Sequence, residues 1–346
     1  MRTLSLSIAL IALCAGTTQA QSVADFYRDK TINMTISSGE GGTNDAYARL
    51  IAEHLPKFIP GNPQIVPRNM PGAGGLKAAN YIYDKAPKDG LAYGIVQRGI
   101  AVQPVMGIEA AKYDPRKFNW IGSTARETSV GVVWNASTDV RTIQDAMKKE
   151  VVIGSSGVGN DTGGFPLVLN HFLGTKFKLI HGYKSGSAIS LAMERGEVQG
   201  RIGWSWGSVK SRSPELLKDN NITVLIQMGL DKADDLPNVP LVLDLAKSED
   251  DRDAMELIFA ATTIGWPSIM PPGTPKERVA AIRTAYQEMV KSPEFIADAE
   301  KRRLELDPVT GEQIEKIVQR IMSFPKPVVE RAKAAMNPPE DTAEKK

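Results

Sequence analysis

Three times in this chain a run of strand-forming residues ends in a glycine-rich turn that opens a helical pattern: SSGEGGTND at 37–45, NMPGAGG at 69–75 and SSGVGNDTGG at 155–164. A helix N-terminus leaves backbone N–H groups unpaired and carries partial positive charge, and glycine lets an anion approach those groups closely. One such loop is compatible with a tight turn and nothing more. Three in one chain point to binding. The flanking runs give the fold class. Ile32, Asn33, Met34, Thr35 and Ile36 alternate apolar and polar as a strand does, and strand-like runs recur at 64–66, 92–97, 130–134, 151–155, 177–181 and 222–228. Amphipathic stretches lie between them; at 45–58, Ala46, Leu50, Ile51, Leu55 and Phe58 fall on one helical face. Strands alternating with helices predict an α/β protein with mostly parallel sheets, whose loops gather at the carboxyl ends of the strands, where ligands bind.

The first twenty residues read as a secretory signal rather than as part of the fold. Arg2 precedes an apolar run at 4–15 that is too short to span a bilayer, and Thr18-Gln19-Ala20 fits the small-x-small rule, which places cleavage after Ala20. A lipoprotein alternative centres on Cys14, although bulky Leu13 precedes it where a small residue is expected. No later stretch approaches the ~18 apolar residues of a membrane helix. The expected product is a periplasmic protein with no direct membrane insertion. What remains after cleavage is long for one core and natural for two domains. Cys14 is the single cysteine and leaves with the signal, so no disulfide, cysteine nucleophile or thiolate metal site is expected. Lys and Arg number 42 against 40 Asp and Glu, which gives no reason to expect nucleic acid or a charged membrane surface as partner.

The C-terminal third reads as helical. Thr274, Pro275 and Glu277 predict a capping box with proline at the first helical position, Ser292-Pro293 opens another helix, and Thr310 with Gln313 opens a third. Residues 336–346, MNPPEDTAEKK, have almost no apolar content and are expected to be a disordered tail.

Catalysis finds little support. GWSWG at 203–207 spells G-x-S-x-G, but the hydrolases that use this pattern place an acid and then a histidine after the serine, whereas His54, His171 and His181 all precede Ser205. Pro214 also interrupts the helix that should follow. A rearranged triad is the remaining route to a serine hydrolase, since triads recur in several chain orders. His171 lies in the apolar stretch PLVLNHFL and reads as structural rather than as a metal ligand. No phosphate-binding loop occurs, and the glycines of 157–164 are spaced wrongly for a dinucleotide. Glu249-Asp250-Asp251 read as a solvated face. No catalytic residue, metal or cofactor is assigned, and the chain reads as a binding protein rather than an enzyme.

The run GGTNDAYAR at 41–49, RNMPGAGG at 68–75 and APKDG at 86–90 resembles the Bug family, the TctC-like extracytoplasmic solute receptors of tripartite tricarboxylate transporters. SSGVG at 155–159, GYKSGSA at 182–188 and MPPGTP at 270–275 extend the resemblance over nearly the whole chain. It implies a type II periplasmic-binding-protein fold, in which two α/β lobes joined by two crossover strands hold a ligand cleft between them. Residues 21–122 and 226–335 would form the first lobe and 123–225 the second. The chain would cross near Ile121-Gly122-Ser123 and return near Leu225-Ile226-Gln227. The implied function is capture of a small organic carboxylate (a di- or tricarboxylate or an aromatic acid) by a monomer, and delivery to the large and small membrane subunits of a transporter. A sensing receptor for a signalling partner could use the same fold. Carried over, the ligand-binding role falls in the first lobe to Gly41, Gly42, Thr43, Asn44 and Asp45 and to Ala73 and Gly74. In the second lobe it falls to Ser155, Gly157, Asn160, Tyr183 and Ser187.

The chain departs from the family pattern at three places. The first turn carries Glu40, which either points outward or selects a cationic group on the ligand. Ser185 stands in a turn that usually has glycine, and the usual aspartate near 199–200 is replaced by Gln199 or Gly200, with Arg201 following. Trp204 and Trp206, two apart on a segment read as extended, should point to opposite sides. Trp204 is expected to face the cleft.

Overall fold

The structure, a computed structural model, describes residues 22–157, 161–183 and 185–336. Two sheets organise it. The first contains β1 (Thr31–Ile36), β2 (Gln64–Asn69), β3 (Ala92–Ile95), β4 (Asn119–Ser123), β10 (Pro267–Met270) and β11 (Val309–Thr310), in the spatial order β11-β4-β10-β3-β1-β2. The second contains β5 (Ser129–Trp134), β6 (Glu150–Gly154), β7 (Lys176–Ile180), β8 (Gly200–Ser205) and β9 (Ile222–Met228), in the order β7-β6-β8-β5-β9. β1 runs parallel to β2 and β3, and β6 runs parallel to β7 and β8. Antiparallel pairs involve β10 and β11 in the first sheet and β5 in the second, where the chain passes between the lobes.

β1, β2, β3, β5, β6, β7 and β9 form where the apolar runs predict them, whereas β4, β8, β10 and β11 lie outside those runs. The helix Thr43–His54 lays Leu50 and Ile51 into the first core, and Leu55 completes the face in the short turn that follows. Two of the three capping motifs form: Ser292 caps the helix Pro293–Lys301, and Thr310 and Gln313 make a reciprocal capping box. The third does not. Thr274 donates its hydroxyl proton to the Pro271 carbonyl at 2.9 Å, closing the Pro-Pro-Gly turn, so the helix Lys276–Met289 starts after Pro275 with no side-chain cap.

The chain leaves the first sheet after Ser123 and enters the second at Ser129. Leu225, Ile226 and Gln227, expected at the return crossing, lie within β9 instead; Ile226 pairs with Gly131 and Gln227 with Val130, so the return falls after Met228. There a loop, the helix Glu249–Phe259 and the turn Ala260–Ile264 lead back to β10. The helix Lys326–Met336 packs against Glu249–Phe259 and also against Asp161–Leu173 of the second lobe. The apolar core is consequently continuous across the join, with Phe165 of the second lobe meeting Phe259 edge-on at 4.9 Å. No helix among the described residues is long and apolar enough to cross a membrane. Residues 1–20, Asn160 and 337–346 lie outside the described residues; Met336, expected to open the tail, instead ends the helix Lys326–Met336.

Candidate functional site

Between the lobes lies a cavity of about 410 Å³. On the first-lobe side it is walled by residues 72–75, Ser37 and 97–99, and on the second-lobe side by Ser156, Asp161, Thr162 and Gly203. The turn at 72–75 has the longest run of positive φ among the described residues: Gly72, Ala73, Gly74 and Gly75, at 143°, 48°, 62° and 95°. L side chains rarely adopt such angles, which is why the sequence spends three glycines here. The result is a wall of main chain without protruding side chains, against which an anion can reach backbone N–H groups. A second cavity of about 480 Å³ opens from the first. It shares Ala73, Gly74, Arg98 and Asp161 and continues between Leu76, Val102, Met106, Ile108, Phe165 and Met336, so its walls are mostly apolar.

Arg98 stands where the two cavities meet. Its guanidinium pairs with the carboxylates of both Glu127 and Asp161, and its Nη2 lies 3.4 Å from Ser129 Oγ. Arg98 belongs to the turn after β3, Glu127 to the crossing segment and Asp161 to the first residue of the helix Asp161–Leu173, so these ion pairs span the lobes. The sequence reading did not single out any of the three. Their meaning comes from a juxtaposition across 29 and 63 residues of chain, and no local pattern announces it.

The first-lobe turn at 41–45 is built differently from the 72–75 turn. Asn44 and Asp45 are buried, and their side chains bond within the lobe. Asn44 accepts from Ser38 Oγ at 3.1 Å, while Asp45 accepts from the Gly41 amide, Arg49 Nε and Asn69 Nδ2 at 2.8–3.0 Å. Burial pushes the Asp45 carboxyl upward, but the hydrogen bonds from Arg49, Asn69 and Gly41 outweigh it and leave the group below its ordinary range. Gly42 caps the helix Thr43–His54, and Thr43 lines a third cavity rather than this one. The Asp45 carboxylate is thus engaged by three donors of its own lobe, which stiffens the first turn. Glu40 is exposed.

In the second lobe Ser155 is fully buried at the end of β6, where its Oγ accepts from the Gly157 amide and lies 3.1 Å from His181 Nδ1. Tyr183 is half-buried beside Gly154, and burial raises its phenol above the ordinary range. Ser187 is exposed in the first turn of the helix Gly186–Glu194, which Ser185 caps. Arg201, flagged by sequence, lies beneath that turn. It donates to Gly186 O at 3.1 Å, its Nε has no hydrogen-bond partner among the described residues, and burial pushes its guanidinium down to about 9.

Trp204 does not face the cleft. It is 5 % exposed, packs in the second-lobe core with Ile189 and Met193, and carries the Arg201 guanidinium 4.4 Å above its ring. The two rings do not alternate because the segment is not extended throughout: Ser205 is an N-cap and Trp206 the first residue of the helix Trp206–Arg212, so both rings join the same core. Trp206 reaches the third cavity, of about 680 Å³, and donates its indole N–H to Asp235 at 2.8 Å.

Ser205 has a structural task. Its Oγ accepts the Ser208 amide at 3.2 Å, while His54 pairs with Asp298, His181 with Ser155, and exposed His171 rests edge-on against Phe172. Ser205→Ala is therefore expected to lower stability by about 1 kcal/mol, the usual value of an N-cap, and to leave solute binding unchanged. Urea unfolding and titration calorimetry on the same variant check both parts.

No protein-family model matches the chain. It is 25 % identical over 275 residues to a protein of Agrobacterium vitis described as the UPF0065 protein in the TAR-I ttuE-ttuC' intergenic region, covering 78 % of this chain and 72 % of that one. Among solved structures it is similar to a TctC solute binding protein from Polaromonas, with a TM-score of 0.65, 19 % identity, and coverage of 88 % of this chain and 99 % of the other. It is also similar to R. palustris Rpa4515, solved with adipate, with a TM-score of 0.64, 21 % identity, and coverage of 88 % and 97 %. The chain thus has the two-lobe type II fold of periplasmic solute-binding proteins, and the Bug-family, TctC-like resemblance carried by its turns is borne out.

Proposed function

We propose that this protein is a periplasmic receptor that captures a small organic carboxylate between its lobes and delivers it to a membrane transporter of the tripartite tricarboxylate type. The observation that carries the reading is the 72–75 turn, four successive positive-φ residues forming a bare backbone wall in an interlobe cavity. Charge-assisted hydrogen bonds from such a wall contribute about 1.5–3 kcal/mol each. A handful, less the cost of association, reaches the ~8 kcal/mol of a micromolar ligand. The apolar second cavity gives room for a carbon body, and Rpa4515, of the same fold, was solved with adipate. Residues 1–20 act as the export signal, with cleavage after Ala20, and the ligand is gripped by hinge closure of the lobes.

A thermal-shift screen of the mature protein against organic carboxylates of graded length tests this reading. The expected result is a concentration-dependent rise in melting temperature for at least one of them, since a ligand at 100 times its Kd stabilises by about 2.7 kcal/mol. If no carboxylate stabilised the fold while an ester was hydrolysed, with loss of turnover in Ser205→Ala, the receptor reading would be wrong.

A further inference from the structure

The two cavities that meet at the 72–75 turn contain a charge imbalance. Among the described residues lining them, the ionised side chains are Arg98 and Asp161. A ligand carboxylate would be expected to seek Arg98, but that guanidinium is already engaged twice. Glu127, 7 % exposed on the crossing segment, neutralises it from behind, and Asp161 holds its other edge. One positive and two negative charges leave a surplus of one negative charge. It resides on the more exposed carboxylate, since the Asp161 side chain is 34 % exposed and lines both cavities. A second anionic group brought to this junction would meet a like charge at close range, well inside the distance over which salt screens. A cationic group would find an acceptor whose counter-cation is shared with Glu127.

We propose that the cleft selects a zwitterionic solute, with a carboxylate against the 72–75 turn, an apolar stretch in the second cavity and an ammonium group on Asp161. This deepens the carboxylate-receptor reading and rests on it. The turn supplies the anion site with backbone alone, and Leu76, Val102, Met106, Phe165 and Met336 accommodate methylenes. Asp161 turns from Arg98 to the ligand's ammonium while Glu127 keeps the arginine neutralised. A dicarboxylate of the same length fills the same space but puts its second charge beside Asp161.

Titration calorimetry on two isosteric series, the α,ω-dicarboxylates and the ω-amino carboxylates of four to eight carbons, tests the inference on the wild-type protein, Asp161→Asn and Glu127→Gln. The best ω-amino carboxylate is expected to bind the wild type at least tenfold more tightly than the dicarboxylate of equal length. Asp161→Asn should remove or invert that preference. Glu127→Gln should reduce it, because Asp161 then becomes the sole partner of Arg98 and its charge is no longer in surplus. Thermal midpoints of the variants establish that they are folded, and either variant alone suffices if the other is not. Dicarboxylates binding more tightly than their amino counterparts, or a preference unmoved by both variants, would overturn the zwitterion inference while leaving the carboxylate reading standing. Failure of both series together, or binding of hexane-1,6-diamine alone, would count against the carboxylate reading itself.

Discussion

Arg98→Ala is expected to lower the thermal midpoint by about 4–8 °C and to abolish solute binding. The arginine is 11 % exposed and holds Glu127, itself 7 % exposed, together with Asp161 of the opposite lobe. Removing one partner of a buried ion pair leaves an uncompensated charge in a poor solvent and costs about 3–5 kcal/mol. In a chain of more than 300 residues each kcal/mol lowers the midpoint by about 1.5 °C. Binding suffers separately, because the guanidinium fixes the junction between the two cavities and ties the second-lobe helix Asp161–Leu173 to the first lobe. The double variant Arg98→Met with Glu127→Gln distinguishes these effects. It removes cation and buried anion together, so most of the lost stability should return while binding stays absent. If the single variant melted like the wild type, Glu127 would have to be solvated, and the description of the junction would be wrong.

The second large effect is expected at Gly265, in the return crossing. Its φ of 57° and ψ of −110° lie where an L side chain is strained, and a Cβ built there would fall 1.7 Å from the Ala125 carbonyl oxygen. The neighbourhood cannot give way easily. Ser123 donates its hydroxyl proton to that same Ala125 carbonyl at 2.9 Å and accepts the Trp266 amide at 2.9 Å, so both crossing segments are stitched together at this point. Gly265→Ala combines backbone strain with a collision against main chain, and a loss of more than 4 kcal/mol is expected in urea unfolding. Gly41→Ala is the control. Gly41 also has positive φ, at 76°, but nothing lies within 4 Å of a Cβ there, so only the strain of about 1–2 kcal/mol should be lost.

Much of the fold was legible because it depends on local pattern. The runs at 222–228 and 32–36 became strands with little change of boundary, since apolar alternation and β-branched residues leave few other ways to bury them. The glycines of 69–75 announced a turn that L side chains resist, and that turn walls the cleft. The GGTND turn was equally visible, but its ligand role was not something a motif could settle. Asp45 has Arg49 four residues on, as the sequence shows, yet Asn69 and the Gly41 amide complete its bonding only after folding. Trp204 was misplaced because the strand was carried on to Trp206, one residue past the N-cap Ser205, where the helix begins. The Thr274 box failed because a nearer carbonyl, Pro271, competes for the hydroxyl. Arg98 escaped attention altogether. In QRGIAV it looks like an ordinary surface arginine, and its function exists only once the crossing segment and the second lobe bring two carboxylates to it.

The central claim is that a carboxylate-bearing solute binds between the lobes against the 72–75 turn. Ala73 lines both interlobe cavities and already has a φ of 48°, so a larger side chain there fills the space without demanding a new backbone angle. Titration of the tightest carboxylate found in the screen into wild-type protein and into Ala73→Phe tests the claim most directly. The expected result is one site per chain in the wild type and a loss of affinity of at least 100-fold in Ala73→Phe, at an unchanged melting temperature without ligand. Equal affinity in the two proteins would place the ligand elsewhere and contradict the account.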